Sequence, residues 1–460
     1  MLNPRTHRIA KLAGWIFVVL FAWNGGVQAQ TVRRDVLHRR VLKQLDSSRE
    51  ATRMRALLTL RQNPACLFEF FDDYVTQVEK LTAKAVETEK FPTATTIALI
   101  ATLSETQRPE AEAMVRDLLQ CDAPELVMVG LDRVGVDQHT DCIDTVMSIR
   151  DTAAFRDHYA MRHAVVHALI PLKSQRANES LLALREQLDG QLAADIDRHF
   201  ETVTATDFVD ATEHRRWWTR WQRTADPENE IATAGGEAVD HNAEDSATRP
   251  ASFRSAEEES ELDLELDLSP SDSDDEGPLF TFGPQQYYGI DIESKRTLFL
   301  IDHSGSMKDH SSGRTRLDAA KFELIRTLRT LSPEHEFSIM IFSTGTHLWK
   351  KTLVEANAEN KQAAIRFVRA IRYGDRTSTY DALVGALSFD DDLEAVYVLT
   401  DGQPTSGRVR DPAVIVRDVT QRNQFRRVRF HTIGIQLPPK TKQFLRAIAA
   451  ENGGEFREVF

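Results

Sequence analysis

From residue 295 to the C-terminus, five strand-like runs alternate with five segments whose apolar residues recur three and four apart. The runs are Thr297–Ile301, Phe337–Ser343, Ala395–Leu399, Val428–Ile435 and Glu455–Val459. Between them lie Leu317–Leu331, Asn360–Ile371, Tyr380–Leu387, Pro412–Gln424 and Thr441–Asn452, each with helical spacing. Strands joined by helices pair in parallel, because a parallel connection needs a crossover long enough to hold a helix. The alternation therefore predicts a doubly wound α/β domain over 295–460, with helices on both faces of the sheet. The first three runs are mainly apolar rather than alternating, rich in Val, Ile, Leu and Phe, as strands covered on both sides must be.

In open sheets of this kind, ligand sites form beyond the carboxyl ends of the strands. The first run passes directly into Asp302-His-Ser-Gly-Ser306. Asp302, Ser304 and Ser306 stand at alternate positions, so one short loop can aim a carboxylate and two hydroxyls at a common point, with Gly305 easing the turn. Two other loops add oxygen donors. Thr377 precedes a helix in Tyr373-Gly-Asp-Arg-Thr-Ser-Thr-Tyr-Asp-Ala-Leu383, and Asp401 follows the third run in Thr400-Asp-Gly-Gln-Pro-Thr405.

These three segments, in this order, resemble the motifs of the von Willebrand factor type A domain. The resemblance covers residues 295–460 and implies a metal-ion-dependent adhesion site. Carried over, Ser304, Ser306 and Thr377 are hydroxyl ligands or near ligands, and Asp302 and Asp401 bind directly or through water. The middle loop departs from the Gly-Gly that often precedes the Thr, having Asp375-Arg376 instead. Hard oxygen donors suit Mg²⁺, Mn²⁺ or Ca²⁺. Two carboxylates and three neutral hydroxyls leave such an ion electrophilic, so it can accept an acidic side chain from a protein partner. The plainer readings are a site that is preserved but idle, or Ser and Thr that merely cap helices.

Residues 31–224 read as short amphipathic helices with few strand signals, for example Ala111–Leu119 and Arg162–Ile170. Units at Pro109–Gln120, Ala123–Val134 and Thr140–Arg150 follow one another at helix-turn-helix intervals, which resembles degenerate HEAT-like repeats. The expected architecture is thus an all-α helical-repeat N-terminal domain and a Rossmann-like α/β C-terminal domain. Trp217, Trp218 and Trp221 would cover the last repeat's apolar end. Between the two units, 225–285 reads as an acidic, disordered linker. Residues 226–276 hold 18 acidic side chains against Arg249 and Arg254, a charge of −16 in a chain whose total is −13. The remainder carries only +3, so neither folded unit has the cationic bias that nucleic-acid binding requires.

The N-terminus has Arg5, Arg8 and Lys11 before an apolar stretch, Leu12–Trp23, that is shorter than the roughly 18 residues of a membrane span. It reads as a signal peptide over 1–29 cleaved after Ala29, with an uncleaved membrane anchor as the alternative. The mature protein is expected to be periplasmic or extracellular, with no later membrane span. Cys66, Cys121 and Cys142 are expected to be buried free thiols, although export would permit a Cys121–Cys142 bridge.

Other candidates have simpler explanations. His163 and His167 share a helical face but lack the Glu of His-Glu-x-x-His. Asp309, His310 and Asp318 belong to a solvated loop and helix start, and Asp381 to the first turn of its helix. Phosphate loops, nucleophile elbows and dinucleotide fingerprints are absent, so no enzymatic activity is expected. The reading is an exported binding protein that captures a partner through a divalent cation. Two alternatives remain: a metal-independent helical scaffold with a structural C-terminal domain, and a metal-dependent hydrolase.

Overall fold

The computed structural model describes residues 33–88, 91–204, 285–311 and 313–459. The expected signal peptide, the Trp217–Trp221 cluster and residues 225–284 of the expected linker lie outside the described residues.

The N-terminal unit is all-α. Its helices are α1 (33–45), α2 (Glu50–Arg61), α3 (Pro64–Glu69), α4 (Phe71–Glu87), α5 (Ala94–Ser104), α6 (Pro109–Leu119), α7 (Pro124–Asp137), α8 (Ile143–Ser148), α9 (Ala153–Asp157), α10 (Tyr159–Leu169), α11 (Gln175–Arg185) and α12 (Gly190–Thr204). Local chemistry sets the ends of α6: Pro109 opens it, Glu110 and Glu112 occupy its first turn, and Arg116 its last. Its stripe of Ala111, Met114, Val115, Leu118 and Leu119 is buried. That stripe meets α7 where Gly130 leaves room; a Cβ there would stand 3.1 Å from Leu118 Cβ. Gly135 likewise admits the backbone of α10, since a Cβ would lie 3.1 Å from the His167 carbonyl oxygen. Thr140–Arg150, expected as one helical unit, is broken: 3₁₀ turns at Thr140–Cys142 and Ile149–Asp151 flank α8. All three cysteines are free thiols; Cys66 and Cys142 are buried as expected, but Cys121 is half-exposed.

The C-terminal unit is doubly wound α/β. Its strands are β1 (Arg296–Asp302), β2 (Glu336–Phe342), β3 (Thr346–Leu348), β4 (Val354–Glu355), β5 (Ala395–Thr400), β6 (Arg429–Ile435) and β7 (Phe456–Val459). Its helices are α13 (Arg316–Thr330), α14 (Ala358–Ala370), α15 (Thr379–Leu387), α16 (Pro412–Asn423) and α17 (Pro439–Glu451). The sheet runs in the order β7-β6-β5-β1-β2-β3, with β4 also on β2. Neighbours from β7 to β2 are parallel, whereas β3 and β4 are antiparallel to β2. Side chains alternate between two layers, as strand periodicity demands. Phe299 and Ile301 of β1 pack with Leu324 and Val368 of α13 and α14, while Leu298 and Leu300 face Leu383, Val419 and Leu445 of α15, α16 and α17. Every residue of β5 is buried. The short edge strands β3 and β4 went unseen in the sequence because they are largely polar and partly exposed. A ribbon of Gln286–Tyr287 paired with Ile290–Asp291 precedes the sheet; Tyr287 is buried, and Thr327 Oγ1 donates to the Gln286 carbonyl (3.0 Å).

The two units dock directly through polar contacts at the amino ends of the strands. Glu394, just before β5, inserts beneath the start of α12, where Gln191 N–H donates to its Oε2 (2.9 Å). Lys295 N–H reaches the same oxygen (3.1 Å), and Arg296 Nη1 donates to Oε1 (2.8 Å). Gly190 makes the approach possible: its φ is +59°, and a Cβ would fall 2.4 Å from Glu394 Oε2. Around this centre, Arg429 pairs with both oxygens of Asp195 (2.6 Å each), Arg427 with Asp132 (2.5 Å) and Arg162 with Asp392 (2.5 Å). Phe91 stacks on Phe425, with ring centroids 5.3 Å apart.

Burial pushes Glu394 up to about 7, against the pull of the Gln191 N–H, Arg296 and the Lys295 N–H. A carboxyl raised in the folded state favours folding below its unfolded value, near 4.5, and that contribution is lost as pH rises through about 7. Relative to Glu394→Gln, which does not titrate, wild type is expected to lose about 3 kcal/mol of stability over this interval. Denaturant titrations of both proteins across the range measure the difference; a constant difference would show that Glu394 titrates at its unfolded value.

Candidate metal centre

Where neighbouring strands send their following helices to opposite faces, a crevice opens at the carboxyl edge. Here β1 leads to α13 on one face and β5 to α16 on the other. Asp302 ends β1 with its side chain buried. Its Oδ1 accepts from Ser304 N–H (2.8 Å) and its Oδ2 from the Thr400 hydroxyl at the end of β5 (2.5 Å). Burial pushes the carboxyl up to about 7; the bonds from Thr400 and Ser304 pull the other way, and neighbouring Asp401 adds to the rise. A cation in this crevice would relieve the like-charge contact.

The other four sequence-predicted residues gather beside it. Ser304 Oγ and Ser306 Oγ lie 3.2 Å apart, and Ser306 Oγ donates to Asp401 Oδ1 (2.8 Å). A Cβ on Gly402 would stand 3.7 Å from Ser306 Oγ and 3.9 Å from Thr377 Oγ1, so the third loop brings its backbone up to both hydroxyls. Ser304, Thr377 and Asp401 are buried, and Ser306 is exposed at the mouth.

Backbone ties hold the loops together. Gly305 N–H donates to the Asp375 carbonyl (2.9 Å), and a Cβ at 305 would lie 3.0 Å from that oxygen. Thr377 and Thr405 exchange bonds: Thr377 N–H to Thr405 Oγ1 and Thr405 N–H to Thr377 O, both 2.9 Å. Asp375 and Arg376, the departure noted in the middle loop, are exposed at the rim.

Several roles were invisible in the sequence. Arg316, the first residue of α13, donates from Nη1 to Asp401 Oδ2 (2.7 Å), and its Nε and Nη2 reach Gln436 Oε1 (3.4 and 3.2 Å). Asp309 Oδ2 lies 3.5 Å from the same Nη1. Thr315 caps α13 by accepting from Asp318 N–H (3.1 Å). Asp381 lies in the first turn of α15, as expected, and also latches the third loop, accepting from Ser378 Oγ, Arg408 N–H and Arg408 Nε (2.7, 3.1 and 2.5 Å). His310 is exposed. His163 and His167 stack at 4.0 Å beside the junction of the two units, far from this crevice in the fold; His167 Nε2 is 3.1 Å from Asp195 Oδ2. They help line a cavity of about 1160 Å³ between α10, α16 and α17. Among the described residues no cluster of three His, Cys, Asp or Glu side chains offers a metal site.

Residues 297–403 match the family model of the von Willebrand factor type A domain. The C-terminal unit is a type A domain. Human inter-alpha-trypsin inhibitor heavy chain H4 is 31% identical over 189 residues, 39% of this chain and 19% of that protein. Human von Willebrand factor A domain-containing protein 3B is 30% identical over 176 residues, 38% of this chain and 12% of its own length. The chain thus spans a fifth or less of these two relatives. Among solved structures, the von Willebrand factor type A protein of Catenulispora acidiphila is 24% identical with a TM-score of 0.32, covering 37% of this chain and 40% of that one.

The donor set of the type A domain fits a small hard cation: two carboxylates backed by hydroxyls, with one hydroxyl open to solvent. Free magnesium at about 100 times its dissociation constant would stabilise the domain by about 2.7 kcal/mol and raise its melting midpoint by about 5–10 °C. Calorimetry with magnesium and with chelator is expected to show this rise in wild type and none in Asp302→Ala; equal midpoints in wild type would argue against a cation site.

Proposed function

We propose that this is an exported binding protein whose type A domain captures a protein partner through a divalent cation, Mg²⁺, Mn²⁺ or Ca²⁺. Asp302, Ser304, Ser306, Thr377 and Asp401 would hold the ion, directly or through water, and an acidic side chain of the partner would complete its shell. The observation that carries this reading is the convergence of three loops on one crevice where buried carboxylates meet neutral hydroxyls. Neutral donors leave the ion's charge only partly compensated, which favours an incoming anion. The exposed Ser306 and the rim residues Asp375 and Arg376 put the open side toward solvent.

A hydrolytic reading would ask more of the site than a bound cation. A metal-activated water needs a base to receive its proton. Of the titratable side chains near the candidate ligands, Asp309 faces Arg316, His303 Nδ1 lies 2.8 Å from the Arg372 carbonyl, and Asp375 is exposed at the rim. The helical unit, with its HEAT-like succession of packed helices, would serve as the platform, and the acidic segment 225–285 as a spacer. Export rests on the signal-like N-terminus; among the described residues no helix is long and apolar enough to cross a membrane.

Affinity capture from cell-envelope extract, with wild type and Asp302→Ala each in magnesium and in chelator, tests the reading. Partners are expected on wild type in magnesium alone, reduced by more than about tenfold by either change. Identical recovery in all four conditions would instead support a metal-independent scaffold.

A further inference from the structure

The buried carboxylate of Asp401 divides its two oxygens between different neighbours. Oδ1 takes the Ser306 hydroxyl (2.8 Å), which belongs to the candidate cation site, while Oδ2 takes the Arg316 guanidinium (2.7 Å). Arg316 is only 15% exposed, and the Asp401 side chain is fully buried. An ion pair so shielded acts at low effective dielectric, so the guanidinium contributes strongly to the local field. It is also held from its far side: Gln436 Oε1 accepts from Nε and Nη2, and the Gln436 backbone is fixed in turn by N–H donation to the Val459 carbonyl (3.0 Å). Asp309 Oδ2, 3.5 Å from Nη1, offers a second carboxylate.

We propose that Arg316 is a built-in counter-ion that competes with the divalent cation for Asp401. This rests on reading the crevice as a cation site. Without metal, the guanidinium neutralises Asp401 and spares the fold two facing carboxylates, Asp302 and Asp401. With metal, the ion takes over that neutralisation, and the guanidinium's charge lies beside it as a repulsive neighbour, eased by Gln436 and Asp309. Arg316 therefore stabilises the metal-free protein and weakens its hold on metal. It is a positioning residue, since it acts on the ion through Asp401.

The test uses the full chain and manganese. Free Mn²⁺ is followed by electron paramagnetic resonance in wild type, Arg316→Gln, Arg316→Lys and Asp302→Ala, and melting curves are recorded for each in chelator and in saturating Mn²⁺. Arg316→Gln is expected to bind Mn²⁺ on the order of tenfold more tightly than wild type. It is also expected to melt lower in chelator and to recover most of the loss in Mn²⁺. Arg316→Lys keeps the charge and is expected to stay within about threefold of wild type. Equal or weaker binding by Arg316→Gln, while Asp302→Ala loses binding, overturns the inference and leaves the cation site standing. Failure of Arg316→Gln to fold even in saturating Mn²⁺ also overturns it, because metal should replace the missing charge. If neither wild type nor Arg316→Gln binds Mn²⁺, the cation reading falls and the inference with it.

Discussion

The C-terminal unit depends on keeping the Asp302 carboxyl out of water at the end of a central strand. A carboxylate loses several kcal/mol of hydration when buried unless other donors replace the water. Two do so, and they come from different places: the Ser304 N–H follows in the same loop, whereas the Thr400 hydroxyl belongs to the neighbouring strand. The second bond requires that β1 and β5 be adjacent and parallel, in the register that pairs Ile301 with Leu399. A slip of one residue would turn Thr400 to the other face of the sheet and leave Asp302 without its partner. The polar site and the strand register therefore specify each other.

The same strands carry contacts at both ends. β1 begins at Arg296 and ends at Asp302; β5 follows Glu394 and leads into Asp401; β6 begins at Arg429 and precedes Gln436. At their amino ends, Arg296, Glu394 and Arg429 meet the helical unit, and at their carboxyl ends the crevice and its surroundings are assembled. A strand of six or seven residues spans about 20 Å, so the helical unit sits roughly that far behind the site and leaves its mouth clear. The helical unit is fixed to the base of the type A domain by paired charges and backbone donors, independently of any tether through residues 205–284.

Much of the fold was legible because it is written in local pattern. The five strand-like runs and five helical segments of the C-terminal half recur in the structure within a residue or two, since continuous apolar runs and three-four spacing each report burial directly. The five candidate ligands were legible for a similar reason: each follows a strand or precedes a helix, where a polar cluster next to an apolar run stands out. What stayed hidden depends on distant pairing. Arg316 sits in Gly-Arg-Thr-Arg-Leu, where any arginine reads as a solvated helix start, and only the fold sets it against Asp401, 85 residues away. Gln436 gives no signal before β6 is placed. The docking of the two units was equally silent, because Arg162, Arg427 and Arg429 resemble ordinary surface charges until the acids opposite them are known.

The two buried carboxylate–guanidinium pairs at opposite ends of the sheet show how similar groups take different parts. Removing one partner of such a pair is far costlier than having the pair is beneficial, so each persists only if its surroundings keep both partners supplied. At the base, two of the donors to Glu394 are backbone N–H groups, one from each unit: Gln191 cannot turn away without undocking the units, nor Lys295 without disturbing the start of β1. That carboxyl has no freedom to change partners. At the crevice, Asp401 is held by a serine hydroxyl, which can rotate to present a lone pair, and by an arginine that has Gln436 and Asp309 as other acceptors. The donors there can leave without breaking secondary structure. Backbone donors make one pair a fixed joint; side-chain donors leave the other open to exchange, as the proposed cation site would require.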